Sequence, residues 1–148
     1  MTHIANHIEA KDKQLVDILT NNRFKIDVFQ REYRWKRNHV EALISDLYSN
    51  FMVSYYEGAS LEDVEGFDYY YMGPIVLCQE GTNGLSIIDG QQRLTSLSLL
   101  LIFMSHFQSQ LILPEEEQHD FADYLYVKKG GRKTLVLDVP SRNEVVEL

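Results

Sequence analysis

The sequence predicts a mixed α/β domain in which a small sheet packs against helices. Residues 69–79 and 85–89 are apolar segments joined by a turn at 81–84, which is the pattern of a β-hairpin. A nearly continuous apolar segment, residues 94–110, follows directly. Because it is apolar on almost every side, we expect a long helix buried at the centre of the fold.

The first third of the chain supplies further elements. Apolar residues at helical spacing predict a helix over 8–21, and alternation of apolar and polar residues over 24–28 predicts a short strand. Asn38 followed by Glu41 has the pattern of a capping box and opens a helix of about 15 residues. The acidic, glycine-containing segment 55–67 is typical of a surface loop.

The last third predicts two short helices with a basic turn and a strand between them. Pro114 with three following glutamates is typical of a helix start, because the dipole there favours acids. Residues 128–133 form a basic turn and 134–139 a strand. Ser141 with Glu144 opens a last helix that runs for only about two turns. We therefore expect residues 1–148 to be one domain, the N-terminal fragment of a longer protein.

Composition bounds the class of protein. Of 148 residues, 45% are apolar and 24% charged, which is enough to build a core. The net charge of −8 excludes nucleic-acid binding driven by total charge. A single cysteine, Cys78, excludes an internal disulfide and a cysteine-rich zinc site. The chain has no apolar signal core and no run near the roughly 20 residues that cross a bilayer. We expect a cytoplasmic protein without a membrane partner.

The segment 87–95 has the chemistry of an anion site. A strand ends at Asp89, Gly90 permits a tight turn, and a helix begins. The first turn of a helix carries unpaired N–H groups and partial positive charge, which bind phosphate. Arg93 is placed to add a bidentate clamp on phosphate oxygens.

The same segment offers candidate catalytic residues. Asp89 is a candidate ligand of Mg²⁺ or a group that orients water. Gln91 and Gln92 are candidates to position a nucleophilic water. The alternative is purely structural: Asp89 caps the helix and Arg93 pairs with it four residues later.

A second constellation lies at residues 24–35. Arg31 and Arg34 are candidates to face phosphates, and Tyr33 or Trp35 to stack on a base. The alternative is a basic surface turn that places its aromatic residues in the core.

Three blocks together resemble a known family. They are F-x-I-x-x-F-Q-R-x-Y-x-W at 24–35, Y-M-G-P-I-V-L at 71–77 and I-I-D-G-Q-Q-R-L-T-S-L at 87–97. The chain resembles the DGQQR domain family, the N-terminal domain of GmrSD-type, modification-dependent restriction endonucleases, from about residue 15 onward. The resemblance implies a ParB/sulfiredoxin-like fold, in which a G-x-x-R turn at a helix start contacts nucleotide phosphates.

Carried onto this sequence, the resemblance assigns site residues. Gly90 and Arg93 occupy the G-x-x-R positions, and Thr95 follows in the same block. Gln30 and Arg31 are expected to close the pocket from the other side. Sulfiredoxin has its catalytic cysteine where this chain has Gln91, so sulfinic-acid reduction is not expected.

The resemblance also implies cofactors and partners. A nucleoside triphosphate and Mg²⁺ are expected, with nucleotide binding or hydrolysis coupled to recognition or cleavage of DNA. Strand cleavage is expected from a separate C-terminal HNH-like nuclease domain. The 148 residues contain no His-Asn-His pattern. The leading hypothesis is therefore a nucleotide-binding, hydrolytic domain of a bacterial phage-defence protein.

An alternative function belongs to another class. The domain is then a non-catalytic DNA-binding or sensing module that uses the basic segments 23–37 and 128–133, each with a net charge of +4. Its contacts to the DNA backbone would come from Arg34, Lys36 and Arg37. A third possibility is a scaffold that only positions a partner nuclease.

Overall fold

A computed structural model describes residues 8–20, 22–26, 33–80, 84–129 and 132–138. These residues confirm the mixed α/β class. Assignment to the ParB/sulfiredoxin-like group stays a prediction. The described helices are α1 (Leu15–Leu19), α2 (Arg37–Ser54), α3 (Leu61–Val64), α4 (Gln91–Ser109) and α5 (Ala122–Leu125). The described strands are β1 (Phe24–Lys25), β2 (Val76–Glu80), β3 (Gly84–Asp89), β4 (Tyr126–Lys129), β5 (Arg132–Leu135) and β6 (Leu137–Asp138).

The main sheet has the strand order β2-β3-β1-β6. Strands β2 and β3 pair antiparallel, whereas β1 is parallel to both β3 and β6. Phe24 lies opposite Leu85 on one side and Leu137 on the other. Strands β4 and β5 form a separate antiparallel hairpin. The short strand β1 is therefore the centre of a mixed sheet.

The core surrounds this central strand. Phe24, Ile87 and Leu94 are fully buried, and Phe24 N–H donates to the Val136 carbonyl. Burial of such side chains contributes about 1.5–3 kcal/mol each. Strand β3 and helix α4 thus reach the same core on either side of the turn that joins them. The buried cluster consists of Leu19, Phe24, Ile26, Ile87, Leu94 and Val136.

The predicted hairpin of β2 and β3 is confirmed, but its first strand is shorter than predicted. It begins at Val76 rather than residue 69. Gly73 adopts φ +89°, outside the strand region, and Pro74 has no N–H to give to a sheet. The segment 69–75 is therefore free of the sheet and passes over the start of α4.

The prediction that α4 is buried at the centre of the fold is wrong. Its buried residues are Leu94, Ser96 and Leu97, all near its start. Phe103 is 63% exposed and Phe107 51%. A 19-residue helix is about 28 Å long, whereas the central strand β1 has two residues. The sheet is too small to cover the whole helix.

The predicted capping box at Asn38 is also wrong. Helix α2 begins at Arg37, and the Lys36 N–H donates to His39 Nδ1 at 3.1 Å. The Glu41 carboxylate instead accepts from Arg37 Nε at 2.6 Å. The cap contact is therefore made by Lys36 and His39, and Glu41 forms an ion pair with Arg37 four residues earlier on the helix.

Smaller differences concern the ends of short elements. Helix α1 covers five residues of the predicted 8–21, and the predicted loop 55–67 contains α3. Pro114 precedes a single 3₁₀ turn instead of an α-helix. The predicted helix at Ser141 lies outside the described residues. Within the described part of the chain, no helix is both long and apolar enough to cross a membrane.

Candidate functional site

The candidate site is the turn that joins β3 to α4. Strand β3 ends at Asp89, Gly90 has φ +92°, and α4 begins at Gln91. A Cβ on Gly90 would lie 3.1 Å from Ile75 Cγ1 and 3.3 Å from Ile75 Cα. Glycine is needed here both for the left-handed backbone and for close packing of residue 75.

Asp89 is exposed at the end of the strand. Its Oδ1 accepts a hydrogen bond from the Gly90 N–H at 2.8 Å. Gly90, not Asp89, is the N-cap of α4, and the described residues show no ion pair between Asp89 and Arg93. The arrangement offered as the structural alternative, with Asp89 as the helix cap and Arg93 as its ion-pair partner, is therefore not formed.

Arg93 is held by the segment that precedes β2. Its Nη1 donates to the Met72 carbonyl at 2.7 Å, and the side chain is half-buried. A Cβ on Gly73 would lie 2.3 Å from Nη1, so the guanidinium occupies the space beside this glycine. Among the described residues, the Met72 carbonyl is the only hydrogen-bond acceptor of this guanidinium. This contact engages one of its five N–H donors.

Gln92 holds the segment that precedes α2. Its Oε1 accepts from the backbone N–H groups of Arg34 at 2.7 Å and Trp35 at 3.2 Å. A buried hydroxyl reinforces this contact. Ser96 Oγ is 2.9 Å from the Tyr33 hydroxyl and donates to the Gln92 carbonyl at 2.8 Å. Residues 33–35 and the start of α4 are thus joined by direct hydrogen bonds.

Tyr70 adds to the electrostatics around Arg93. Its hydroxyl donates to Asp46 Oδ2 at 3.4 Å. Desolvation, followed by the Asp46 charge, raises the pKa of Tyr70, and the positive charge of Arg93 opposes that rise. The charges of Asp46 and Arg93 therefore have opposite effects on the pKa of Tyr70. Because this pKa is raised overall, Tyr70 stays protonated and neutral at physiological pH.

The structure brings together five of the predicted residues at the turn, Asp89 to Arg93. Thr95 lies half-buried one turn into α4. Gln30 and Arg31 lie outside the described residues.

The predicted nucleic-acid contacts fall into two groups. Arg34 and Lys36 are exposed, and Arg34 borders the turn through its backbone contact with Gln92. Arg37 is paired with Glu41 on α2. All three predicted cations are therefore exposed to solvent, and 90% of the Arg37 side chain is exposed despite its ion pair.

Sequence reasoning missed the contacts of Met72, Gly73 and Ile75 with the turn. Their segment was assigned to a strand, although the Gly-Pro pair within it signals irregular backbone. It also missed the Ser96–Tyr33 pair, for which no local pattern exists, because the two residues are 63 positions apart.

Two further observations concern metal ligands and cavities in the described part of the chain. No group of three or more His, Cys, Asp or Glu among the described residues could hold a metal ion. A cavity of about 750 Å³ lies elsewhere, between the second half of α4 and the segment 115–126. It does not include the turn.

Comparison with curated proteins gives no match. The three sequence blocks that converge on the start of α4 all lie within one family model, which covers residues 13–144. The chain belongs to the family of the GmrSD restriction endonuclease N-terminal domain.

Proposed function

We propose that this domain binds a nucleoside triphosphate at the start of α4 and, in its complete protein, hydrolyses it. The observation that carries the proposal is the convergence of two chain segments, 33–35 and 69–75, on one helix N-terminus. Residues 33–35 bond to Gln92, Met72 bonds to Arg93, and Ile75 packs on Gly90. These contacts order the residues around a helix start, and a helix start suits a ligand that carries negative charge.

Phosphate binding follows from the donors at this end of α4. The first-turn N–H groups of a helix have no acceptors within the helix, and the helix dipole adds partial positive charge. Arg93 contributes up to four further N–H donors. Together they suit the oxygens of a polyphosphate.

The residues present fit a magnesium ion bound together with phosphate. Mg²⁺ is commonly held by one or two carboxylates plus substrate phosphates and water, and when bound it neutralises charge on the phosphate oxygens. Asp89 is exposed, and among the described residues its Oδ2 has no hydrogen-bond partner. Asp89 is the residue that would hold the ion.

The catalytic roles divide between the two glutamines. Gln92 Oε1 is already engaged by two backbone N–H groups, so its role is to hold residues 33–36 in place. Gln91, half-buried at the first position of α4, is left to orient a water molecule. Gln30 and Arg31 are proposed to close the site, and Thr95 to support it.

A thermal-shift titration with ATP·Mg²⁺ and GTP·Mg²⁺ tests this function. A nucleotide at 100 times its Kd stabilises the folded state by about 2.7 kcal/mol. We expect Arg93→Ala to reduce that shift sharply and Arg37→Ala to retain it, because the Arg37 guanidinium pairs with Glu41 on α2. Absence of a shift in the wild type, or equal shifts in wild type and Arg93→Ala, would contradict the proposal.

The alternative, a DNA-binding or sensing module, is favoured by one observation. Arg34 and Lys36 are exposed beside the turn, where they are accessible to a phosphate backbone. Salt-dependent DNA binding that nucleotide does not change would support this alternative. Under either function, we propose that strand cleavage is performed in the cytoplasm by an HNH-like nuclease domain outside these residues.

A further inference from the structure

The clearest unassigned feature beside the site is the close contact between Gly73 and Arg93. The glycine has φ +89°, and its hydrogen occupies the position where a Cβ would lie 2.3 Å from Nη1 and 3.3 Å from Cζ. Real Cβ atoms essentially never approach another heavy atom so closely. The guanidinium therefore fits at this position only because residue 73 has no side chain.

The same segment fixes one edge of the guanidinium. The carbonyl of Met72, the residue before Gly73, accepts from Nη1 at 2.7 Å. A hydrogen bond from a charged donor contributes about 1.5–3 kcal/mol. The Nη1 end of the Arg93 guanidinium is thus hydrogen-bonded and lies against Gly73. The remaining N–H groups are therefore restricted in orientation.

We infer that Gly73 is a positioning residue that, with the Met72 carbonyl, holds Arg93 ready to grip the anionic ligand. This inference rests on the proposed function, because the anion is the nucleotide's phosphate. A long arginine side chain loses up to about 2 kcal/mol of conformational entropy when it is ordered. Ordering it before the ligand arrives removes that cost from binding.

The test compares two glycines with the same backbone conformation. Gly58 has φ +87°, and a Cβ added there would meet no heavy atom within 4 Å, whereas Gly73 has φ +89° and meets Arg93. Alanine at either position carries the same strain from positive φ. Only Gly73→Ala displaces the guanidinium.

The first measurement is the Kd for ATP·Mg²⁺ and GTP·Mg²⁺ by calorimetry. We expect Gly73→Ala to weaken binding about tenfold or more and Gly58→Ala to leave it unchanged. In the Arg93→Ala background, Gly73→Ala should cause no further loss of affinity, because the displaced group is gone. A lesion that merely destabilised the fold would weaken binding in both backgrounds.

The second measurement needs no nucleotide. In NMR spectra of the arginine side chains, the Arg93 guanidinium of the wild type and of Gly58→Ala should rotate slowly. In Gly73→Ala it should rotate freely. Free rotation in the wild type would overturn the inference.

The two possible failures are distinguishable. If the wild type binds a nucleotide and Gly73→Ala binds it as tightly as Gly58→Ala does, the inference is wrong while the proposed function stands. If the wild type binds neither nucleotide, the proposed function is wrong, and the role of Gly73 in holding an anion clamp falls with it.

Discussion

The two halves of α4 have similar composition but very different surroundings. In the first two turns Leu94, Ser96 and Leu97 are buried, and the segments 33–35 and 69–75 contact this end. In the second half Phe103 and Phe107 stack on each other with more than half of each side chain exposed. The comparison teaches that apolar character makes a helix able to be buried, but neighbouring elements decide how much of it is covered.

The largest expected effect distinguishes two leucines of this helix. Leu94 is fully buried and Leu99 is 47% exposed. We expect Leu94→Ala to lower the free energy of unfolding by about 2–5 kcal/mol, because it leaves a cavity in the core, and Leu99→Ala by less than about 1 kcal/mol. Chemical denaturation measures both, and equal losses would contradict the difference in burial between these two positions of α4.

A smaller effect separates two serines in the buried half. Ser96 Oγ contacts both the Tyr33 hydroxyl and the Gln92 carbonyl, whereas Ser98 Oγ donates only to the Leu94 carbonyl. Ser96→Ala leaves the Tyr33 hydroxyl without this partner, so we expect a loss of about 1–2 kcal/mol. For Ser98→Ala we expect less than about 0.5 kcal/mol. Thermal unfolding of the two variants checks the difference. A larger loss for Ser98→Ala than for Ser96→Ala would exclude the link between Tyr33 and α4.

In the exposed half, substitution should change the surface rather than the stability. We expect Phe103→Gln to alter the free energy of unfolding by no more than about 0.5 kcal/mol and to reduce binding of a hydrophobic dye. A loss above about 2 kcal/mol would mean that this part of α4 is covered in solution. Urea titration and dye fluorescence give the two results.

The smallest expected effect belongs to a local contact on α3. Hydrogen bonds from the Ser60 backbone and hydroxyl lower the pKa of the Asp63 carboxyl. The cap therefore stabilises α3 at pH values above the ordinary pKa of an aspartate. That stabilisation is lost as the pH falls through the lower pKa of the folded state. In an NMR titration, the pKa of Asp63 should be lower in the wild type than in Ser60→Ala. Equal values in the two proteins would contradict the cap.

Local sequence patterns predicted the elements that flank the candidate site. The turn at Gly90 was predicted because an apolar strand, an Asp-Gly pair and a helix follow in order, and the structure gives Gly90 φ +92°. The prediction for Gln92 was less informative. Its amide was assigned to water, whereas the structure engages Oε1 with Arg34 and Trp35, 58 and 57 residues away. An amide side chain serves either role, and only its neighbours distinguish them.

The sequence by itself determined the class of fold, the β2–β3 hairpin and the position of the turn at Gly90, because these depend on periodicity and on residues adjacent in the chain. Only the tertiary structure decided which half of α4 is buried and which carbonyl holds Arg93. The Met72 carbonyl is 21 residues from Arg93, and its selection depends on how Gly73 and Pro74 direct the chain across the helix start. Such contacts form between distant segments, so their physical cause is packing, which no local pattern records.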